Sequence, residues 1–327
     1  MVTPERLLAI VATAYLAVWA PATPAQAAYP SSTITLVVPF SPGGGHDAMA
    51  RLLAQKVGER LGQTMIVENK AGANGMIGAE YVVRAKPDGY TVLFSSPAEI
   101  VVAPTVYRKM TYDPMKDLEP VTLAGTTPLV LVASPSAGVK TLPELIALAK
   151  REPGKLSYGT PGAGSSQNLA GAWLAHLAGI DWIHVPYKGA GPVTSDLLGG
   201  HIPFAIVGMA PVLPHIRDGT LVPIAVMTPK RVAWAKNVPT VAETPGMEGF
   251  VASHWMGVFV PAHTPADIVH KLQSAFAAVL ATPDVRARLT AMGIDAVGDT
   301  SNEFRVYLAE ERDRFAKMFA YTGLSPE

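Results

Sequence analysis

Cysteine is absent from this sequence of 327 residues, which excludes disulfide bonds, cysteine-ligated zinc sites and a thiol nucleophile. Net charge is absent as well, because 26 basic side chains balance 26 acidic ones without forming a Lys/Arg stripe. This balance argues against a nucleic-acid interface. The eight histidines show no His-x-x-x-His spacing, so no metal site is expected. The remaining composition, 49% apolar with 29 glycines, indicates a globular protein of about two domains.

The N-terminal segment, residues 1–27, has the pattern of a secretory signal peptide. Arg6 precedes an apolar run over residues 7–20, and Ala25-Gln-Ala27 has the small-x-small form of a cleavage site. The run is too short to span a bilayer comfortably, although its weakly charged start leaves an uncleaved anchor as the alternative. Because no second membrane-spanning run follows, we expect the mature protein to begin near Ala28 and to lie in the periplasm or outside the cell.

Strand-like and helix-like segments alternate along the mature chain, which predicts an α/β fold built on a parallel sheet with helices on both faces. Helix starts are marked where a threonine precedes a carboxylate by three residues, at Thr141, Thr264 and Thr300. The last part of the chain, about 60 residues long, contains helical patterns without a convincing strand. The strands are predicted at residues 34–40, 64–68, 91–95, 128–133, 155–158, 182–186, 204–207 and 223–227.

This order of segments suggests two lobes joined by two crossings of the chain. Because the helical C-terminal part has no sheet of its own, we expect it to return to the sheet formed first, with crossings near residues 125 and 250. The hypothesis is a discontinuous first lobe, residues 28–125 plus 250–327, and a second lobe, residues 126–249.

Three glycine-rich turns link predicted strands to helices, at residues 41–47, 159–168 and 185–191. Each presents backbone N–H groups at a helix N-terminus, where the helix dipole favours an anion. Ligands of open α/β sheets bind at the carboxyl ends of the strands, where these turns lie. A single turn of this kind is commonly only a tight turn. Three together predict a carboxylate held between the lobes, with Ser165 and Ser166 adding hydroxyl donors.

Two enzymatic interpretations of the same residues are weaker. Gly43-x-Gly45-x-x-Ala48 with Glu68 imitates a dinucleotide fingerprint, but an exported protein meets no cytosolic pool of such a cofactor. No Gly-x-Ser-x-Gly elbow is present. A secreted hydrolase or lyase that uses His46 or His184 with Asp47 is the remaining enzymatic alternative.

Several side chains near the turns have both a structural and a ligand-binding interpretation. Asp47 either caps its helix or accepts a hydrogen bond from the ligand. Tyr187 either packs or closes over the ligand, while Trp255 is expected to pack between the lobes and Lys188 to face solvent. His184 is expected to be a hydrogen-bonded core or hinge residue.

Seven motifs spread over essentially the whole mature chain resemble those of one known family. They are Pro42-Gly-Gly-x-x-Asp47 followed by Ala50-Arg51, Val67-Glu-Asn-Lys-x-Gly72-Ala-x-Gly75-x-x-Gly78, Lys86-Pro-Asp-Gly-Tyr-Thr91, Tyr112-Asp-Pro-x-x-Asp117, His184-Val-Pro-Tyr-Lys-Gly189, Asp196-Leu-Leu-Gly-Gly200 and Trp255-x-Gly257-x-x-x-Pro261. On these motifs the chain resembles the Bug or TctC family, the periplasmic solute-binding proteins of tripartite tricarboxylate transporters. Two departures are Ala71, where the family often has proline, and Asn168, where it commonly has histidine. Asn168 lies in the expected binding region, so we expect it to affect which ligand is accepted.

The resemblance implies a type II periplasmic binding fold, in which two α/β lobes joined by a double-crossover hinge close like a flytrap. It also implies a small organic carboxylate or amino acid as ligand, and a membrane permease with one large and one small integral subunit as partner. A monomer without catalytic activity, cofactor or metal is expected. The ligand-binding residues predicted from the turns and the resemblance together are Gly43, Gly44, Gly45, His46, Asp47, Ser95, Ser96, Gly162, Ala163, Gly164, Ser165, Ser166, Asn168, Tyr187, Gly189 and Ala190.

Ligand identity and biological role stay open at this point. The turns supply backbone donors, which do not distinguish aliphatic diacids from aromatic carboxylates or amino acids. A sensory role, in which the liganded protein meets a membrane receptor instead of a permease, is a further alternative beside the hydrolase.

Overall fold

Ten strands lie within residues 29–232 and 235–322, the part of the chain that the computed structural model describes; the predicted signal peptide lies outside it. The strands are β1 Ile34–Val38, β2 Met65–Asn69, β3 Thr91–Ser95, β4 Leu118–Ala133, β5 Ser157–Thr160, β6 Ile183–Pro186, β7 Phe204–Gly208, β8 Val222–Val226, β9 Ser253–Pro261 and β10 Asp295–Ala296. They form one mixed sheet in the order β2-β1-β3-β9-β4-β7-β5-β6, with β8 and β10 each paired to β4.

Within the same described residues, an α-helix follows most of the strands along the chain. They are α1 Gly45–Leu61, α2 Met76–Val83, α3 Ala103–Val106, α4 Pro114–Asp117, α5 Leu142–Arg151, α6 Ser166–Ala178, α7 Ala190–Leu198, α8 Leu213–Arg217, α9 Ala266–Leu280, α10 Pro283–Ala291 and α11 Ser301–Thr322. A turn of π-helix over Ala98–Val102 leads into α3. Among the described residues, none of the helices combines the length and the apolar character that a bilayer crossing requires.

Strand β4 joins the two halves of the sheet. Its first part pairs antiparallel with β9, from Leu118 opposite Pro261 to Pro128 opposite Ser253. Its last five residues pair antiparallel with β7 and β8. One half therefore contains β1, β2, β3, β9, β10 and the start of β4, and the other contains β5 to β8 and the end of β4. The chain passes between the halves along β4 and again on entering β9.

The structure corrects the predicted sheet in two respects. The sheet is mixed and not purely parallel, because β4 and β9 run against their neighbours. The strand predicted at residues 128–133 is the end of β4, which begins ten residues earlier, and neither β9 nor the short β10 was predicted as a strand. Buried apolar runs such as Trp255–Pro261 have no period that separates a strand from a buried helix, which explains the omission. The other seven predicted strands lie within two residues of the observed ones.

Buried apolar side chains stabilise each half, and they pack the C-terminal helices against the two halves. In the first half, Leu36 of β1 packs in one cluster with Leu53 of α1 and Phe276 of α9, all completely buried. A second cluster contains Phe304 of α11 together with Leu169 of α6, so the last helix contacts both halves. Each such side chain contributes about 1.5–3 kcal/mol on burial. The expectation that the C-terminal helices pack on a sheet formed earlier is confirmed.

Two of the three predicted helix caps are confirmed. Thr141 and Glu144 form a reciprocal capping box, and Thr300 and Glu303 exchange the same pair of hydrogen bonds. The prediction at Thr264 was wrong, because its buried hydroxyl donates to the carbonyl of Pro261 at 2.7 Å and leaves α9 without a side-chain cap. Because Thr264 lies only three residues after the end of β9, its hydroxyl bonds to a carbonyl of that strand and not to an N–H group at the start of the helix.

Candidate functional site

A cavity of about 100 Å³ lies where the two halves of the sheet meet. The first half contributes the turn before α1, with His46, and also Asn74 and Ser96. The second half contributes the turns before α6 and α7, the end of β7 and the residues that follow it. Thr127 on β4 and His254 on β9 line the cavity from the two crossing strands. The site is therefore assembled from segments that are far apart in sequence.

Three helix N-termini meet at this cavity. Helix α1 starts after Gly44, α6 after Ser165 and α7 after Gly189, and all three preceding residues line the cavity. Gly44 and Gly189 have no side chain with which to cap the first-turn N–H groups. Uncapped N–H groups and the positive ends of helix dipoles form a favourable environment for an anion. The arrangement suits a carboxylate group between the two halves.

Seven of the sixteen predicted site residues line the cavity: Gly44, Gly45, His46, Ser96, Ser165, Gly189 and Ala190. The other nine do not line it: Gly43, Asp47, Ser95, Gly162, Ala163, Gly164, Ser166, Asn168 and Tyr187. Contact of any of them with a ligand stays a prediction.

The carboxylate of Asp47 holds the first turn. It accepts hydrogen bonds from the backbone N–H of Gly43 (3.1 Å), from Nε of Arg51 (3.0 Å) and from Nδ2 of Asn69 (3.0 Å). Burial raises the pKa of Asp47, but these hydrogen bonds outweigh it, so the pKa lies below the ordinary value. Both carboxylate oxygens are thus engaged within the protein, and neither bonds to a histidine. The pairing that a hydrolase would need between Asp47 and His46 or His184 does not occur in this structure.

Asn168 and Tyr187 stabilise the turns of the second half in a similar way. The Oδ1 atom of Asn168 accepts from the N–H of Gly164 at 3.0 Å, and its Nδ2 donates to the hydroxyl of Tyr158 at 3.3 Å. The hydroxyl of Tyr187 donates to the carboxylate of Asp196 at 2.7 Å. The side chain that departs from the family pattern therefore supports the turn from behind.

Ser95 and Ser96 are bound to a buried carboxylate that the sequence analysis missed. Oε1 of Glu99 accepts from Oγ of Ser95 and from N–H of Ser96, both at 2.8 Å, and Oε2 accepts from Oγ of Ser96 at 2.7 Å. Burial raises the pKa of Glu99 to about 7, although the hydrogen bonds from the serines lower it. The available signal was an acidic residue directly before the apolar run Ile100–Val102.

Two imidazoles meet in the cavity wall. Nδ1 of His46 lies 3.5 Å from Nε2 of His254, whose Nδ1 lies 3.3 Å from Oγ of Ser166 on α6. Burial lowers the pKa of His46 to about 4, and burial together with His46 lowers that of His254 well below its ordinary value. Both rings are neutral at pH 7. Lys188, which is exposed at the cavity rim, is then the cationic side chain in the described lining.

His184 is hydrogen-bonded as expected, whereas the ring contacts of Trp255 lie within its own predicted lobe, residues 250–327, and not between the lobes. Nε2 of His184 is 2.6 Å from Oγ1 of Thr160, and burial lowers the pKa of His184 to about 4. Trp255 is completely buried against Phe259 and Phe304. No group of three His, Asp or Glu side chains within the described ranges is placed to hold a metal ion.

Six polar side chains that line the cavity are not among the predicted ligand contacts: Ser41, Asn74, Thr127, Gln167, Lys188 and His254. Gln167 lies inside a predicted turn, where it could have been found. Asn74, Thr127 and His254 come to the cavity from other elements, and no local motif marks them.

Comparisons with known proteins agree on one family. A model for the tripartite tricarboxylate transporter family receptor matches residues 49–324. The chain is 37% identical over 320 residues to the protein BugT of Bordetella pertussis, covering 97% of this chain and 98% of BugT. The structure of R. palustris Rpa4515 with adipate aligns with a TM-score of 0.87 at 32% identity, covering 91% of this chain and 100% of that one. MatC from Rhodopseudomonas palustris with bound malate aligns with a TM-score of 0.84 at 31% identity, covering 89% and 99% of the two chains.

Proposed function

The chain belongs to the receptor family of the tripartite tricarboxylate transporters, and on that premise we propose that it captures a small organic carboxylate between its two lobes and delivers it to a membrane permease. The family resemblance and the two-lobed periplasmic-binding fold predicted from the sequence are confirmed by these similarities.

The observation that carries the proposal is the convergence of three helix N-termini on one cavity between the halves. Two of these termini begin at a cavity-lining glycine, which provides no side-chain cap for the N–H groups of the first turn. Helix N-termini bind carboxylates without needing a cationic side chain. The adipate and malate held by two similar proteins belong to the same chemical class.

The proposal includes the cellular setting and the mode of action. We propose that residues 1–27 are a cleaved signal peptide, that the mature protein is a periplasmic monomer, and that it binds its ligand without chemical change. The lobes are residues 28–125 plus 250–327 and residues 126–249. The antiparallel pairing of β4 with β9 supports this division, because these strands carry both crossings between the halves. The partner is a permease with a large and a small integral subunit.

Calorimetric titration of residues 28–327 tests the proposal. The protein is first unfolded and refolded, so that no co-purified ligand occupies the site. Adipate, malate and hexanoate are then titrated separately, with adipamide as an uncharged control. We expect one carboxylate bound per chain, no binding of adipamide and full recovery of unchanged ligand. A ligand present at 100 times its Kd should raise the free energy of unfolding by about 2.7 kcal/mol. Binding of none of the three carboxylates would contradict the proposal.

A further inference from the structure

Asn74 lies in a turn whose backbone conformation is unfavourable for residues with a side chain. Ala73 and Asn74 both have positive φ angles, 45° and 54°, and lie between Gly72 and Gly75. Residues other than glycine adopt this left-handed region uncommonly, with asparagine among the most tolerant. Such conformations persist where the surrounding structure enforces them, and they concentrate at functional sites.

The turn rests on the buried carboxylate of Glu99. A Cβ atom added to Gly75 would lie 2.8 Å from Oε2 of Glu99, so only glycine allows the turn to pack this closely. Glu99 is completely buried and accepts hydrogen bonds from Ser95 and Ser96. The same carboxylate thus supports both Ser96 and the turn that carries Asn74, and both of these residues line the cavity.

From this support the side chain of Asn74 reaches the second half of the molecule. Its Oδ1 lies 3.1 Å from the position that a Cβ of Gly162 would occupy, and its Nδ2 lies 3.4 Å from that of Gly164. These glycines belong to the turn before α6. Asn74 therefore contacts the opposite wall of the cavity, beside one of the three helix N-termini.

The amide nitrogen of Asn74 is a buried donor without a hydrogen-bond partner among the described residues. Buried polar atoms in native proteins are nearly always hydrogen-bonded, and an unsatisfied donor is destabilising. Because the side chain lines the cavity, a ligand bound there can supply the missing acceptor.

We propose that Asn74 determines affinity for the ligand by donating a hydrogen bond from Nδ2 to an anionic oxygen bound at the N-terminus of α6. Glu99 is the positioning residue that holds its turn. The inference rests on the proposed function, because it takes the ligand to be a carboxylate. It adds that the first half recognises the ligand through a side-chain amide as well as through backbone N–H groups.

The test compares Asn74→Gly with Ala73→Gly in calorimetric titrations with adipate and malate. Glycine relieves the left-handed backbone at either position, so both variants should unfold at the wild-type temperature or above it. Only Asn74→Gly removes the amide. A hydrogen bond to a charged oxygen is worth tenfold or more in affinity, so Asn74→Gly should lose at least about tenfold for whichever of the two acids the wild type binds more tightly. Ala73→Gly should bind like the wild type.

Asn74→Asp provides a test of charge, because it keeps the shape and replaces the donor with an anion. We expect a loss of about a hundredfold or more at pH 7, since two carboxylates then face each other. Wild-type affinity in Asn74→Gly, or an equal loss in Ala73→Gly, would overturn the inference while leaving the proposed function in place. Failure of the wild type to bind either acid or hexanoate would overturn both.

Discussion

The polar side chains nearest to the turns form hydrogen bonds with the backbone of those turns. Most of the predicted contacts with the ligand therefore come from the backbone itself. Asp47 and Asn168 each accept a hydrogen bond from the N–H of a glycine in their own turn. Glu99 does the same for the N–H of Ser96. Fixing the backbone in this way orients the N–H groups before the ligand arrives, which reduces the entropy cost of binding.

Gly44→Asp should abolish carboxylate binding without harming the fold. Gly44 has an ordinary negative φ of −83°, and a Cβ there meets no atom within 4 Å. Aspartate is a preferred N-cap, so the free energy of unfolding should stay equal or rise by about a few tenths of a kcal/mol. The added anion lies at the cavity and repels a carboxylate ligand, which should cost about a hundredfold or more in Kd.

Gly44→Asn is the matched control for that substitution, because it caps α1 equally well and carries no charge. Calorimetric titration of both variants should show a much smaller loss for the asparagine variant. Equal losses would mean that the added volume, and not the charge, blocks the site. Unchanged binding in both variants would contradict the placement of the ligand at the start of α1.

Glu99→Gln should change how stability depends on pH. The folded protein keeps the proton of Glu99 up to about pH 7, whereas the unfolded chain releases it near 4.5. The folded state therefore binds more protons between these values, and the stability of the wild type relative to the variant should fall as the pH rises through this window. The total change is about 3 kcal/mol.

Denaturant unfolding of the wild type and of Glu99→Gln at several pH values across that window measures this difference. Glutamine can still accept from Ser95 and donate to Ser96, so the turn should survive. The same substitution at the exposed Glu59 controls for the loss of one carboxyl group. A difference between the wild type and Glu99→Gln that stays constant across the window would show that burial does not raise the pKa of Glu99 in the folded protein.

At the scale of elements, the contact between β9 and α11 connects the strand on which the chain re-enters the first half to the C-terminal helix. Trp255 of β9 stacks edge-on against Phe304 of α11, with ring centroids 5.8 Å apart. Gly257 leaves the space that Phe304 occupies, because a Cβ at residue 257 would lie 2.3 Å from the Cζ atom of that ring. The last helix thus stabilises the strand along which the chain returns to the first half.

Gly257→Ala should lower the free energy of unfolding by about 1–3 kcal/mol through this overlap. In the background of Phe304→Leu, where the ring is gone, the same change should cost clearly less. Urea unfolding of the four proteins in this double-mutant cycle measures the coupling between the two positions. An equal cost in both backgrounds would assign the effect to the strand backbone and not to the helix contact.

At the scale of the whole molecule, we expect that the two halves must separate for the ligand to exchange. The cavity is bordered on one side by the start of α1 and on the other by the residues after β7, and these borders touch. A Cβ at Gly45 would lie 3.2 Å from the Cβ of Ala210. This is near the separation of about 3.5–4.5 Å between the Cβ atoms of a disulfide.

The double variant Gly45→Cys with Ala210→Cys should therefore form a disulfide that holds the halves together. The chain contains no other cysteine, so any thiol lost on oxidation belongs to this pair. We expect the oxidised protein to bind and release adipate or malate far more slowly than the same protein after reduction. Because the oxidised and the reduced protein carry the same two substitutions, the reduced protein is the control for the oxidised one. Equal exchange rates in the two forms would contradict a hinged closure.

The sequence by itself determined the class of the fold and the family. Alternating strands and helices come from local hydrophobic periodicity and turn chemistry, which is why seven strands and two helix caps were predicted nearly at their observed positions. The three glycine-rich turns were found for the same reason, since each is a continuous segment. Helix α1 ends at Leu61, directly before Gly62 in a left-handed conformation.

Only the tertiary structure decided which side chains face the cavity. Asn74, Thr127 and His254 reach it from three separate elements, while Asp47 and Asn168 turn away from it to support their own turns. Likewise, β4 and β9 became central strands through pairing with partners more than 100 residues away. These outcomes depend on long-range pairing and on competition for hydrogen bonds, which local sequence patterns do not record.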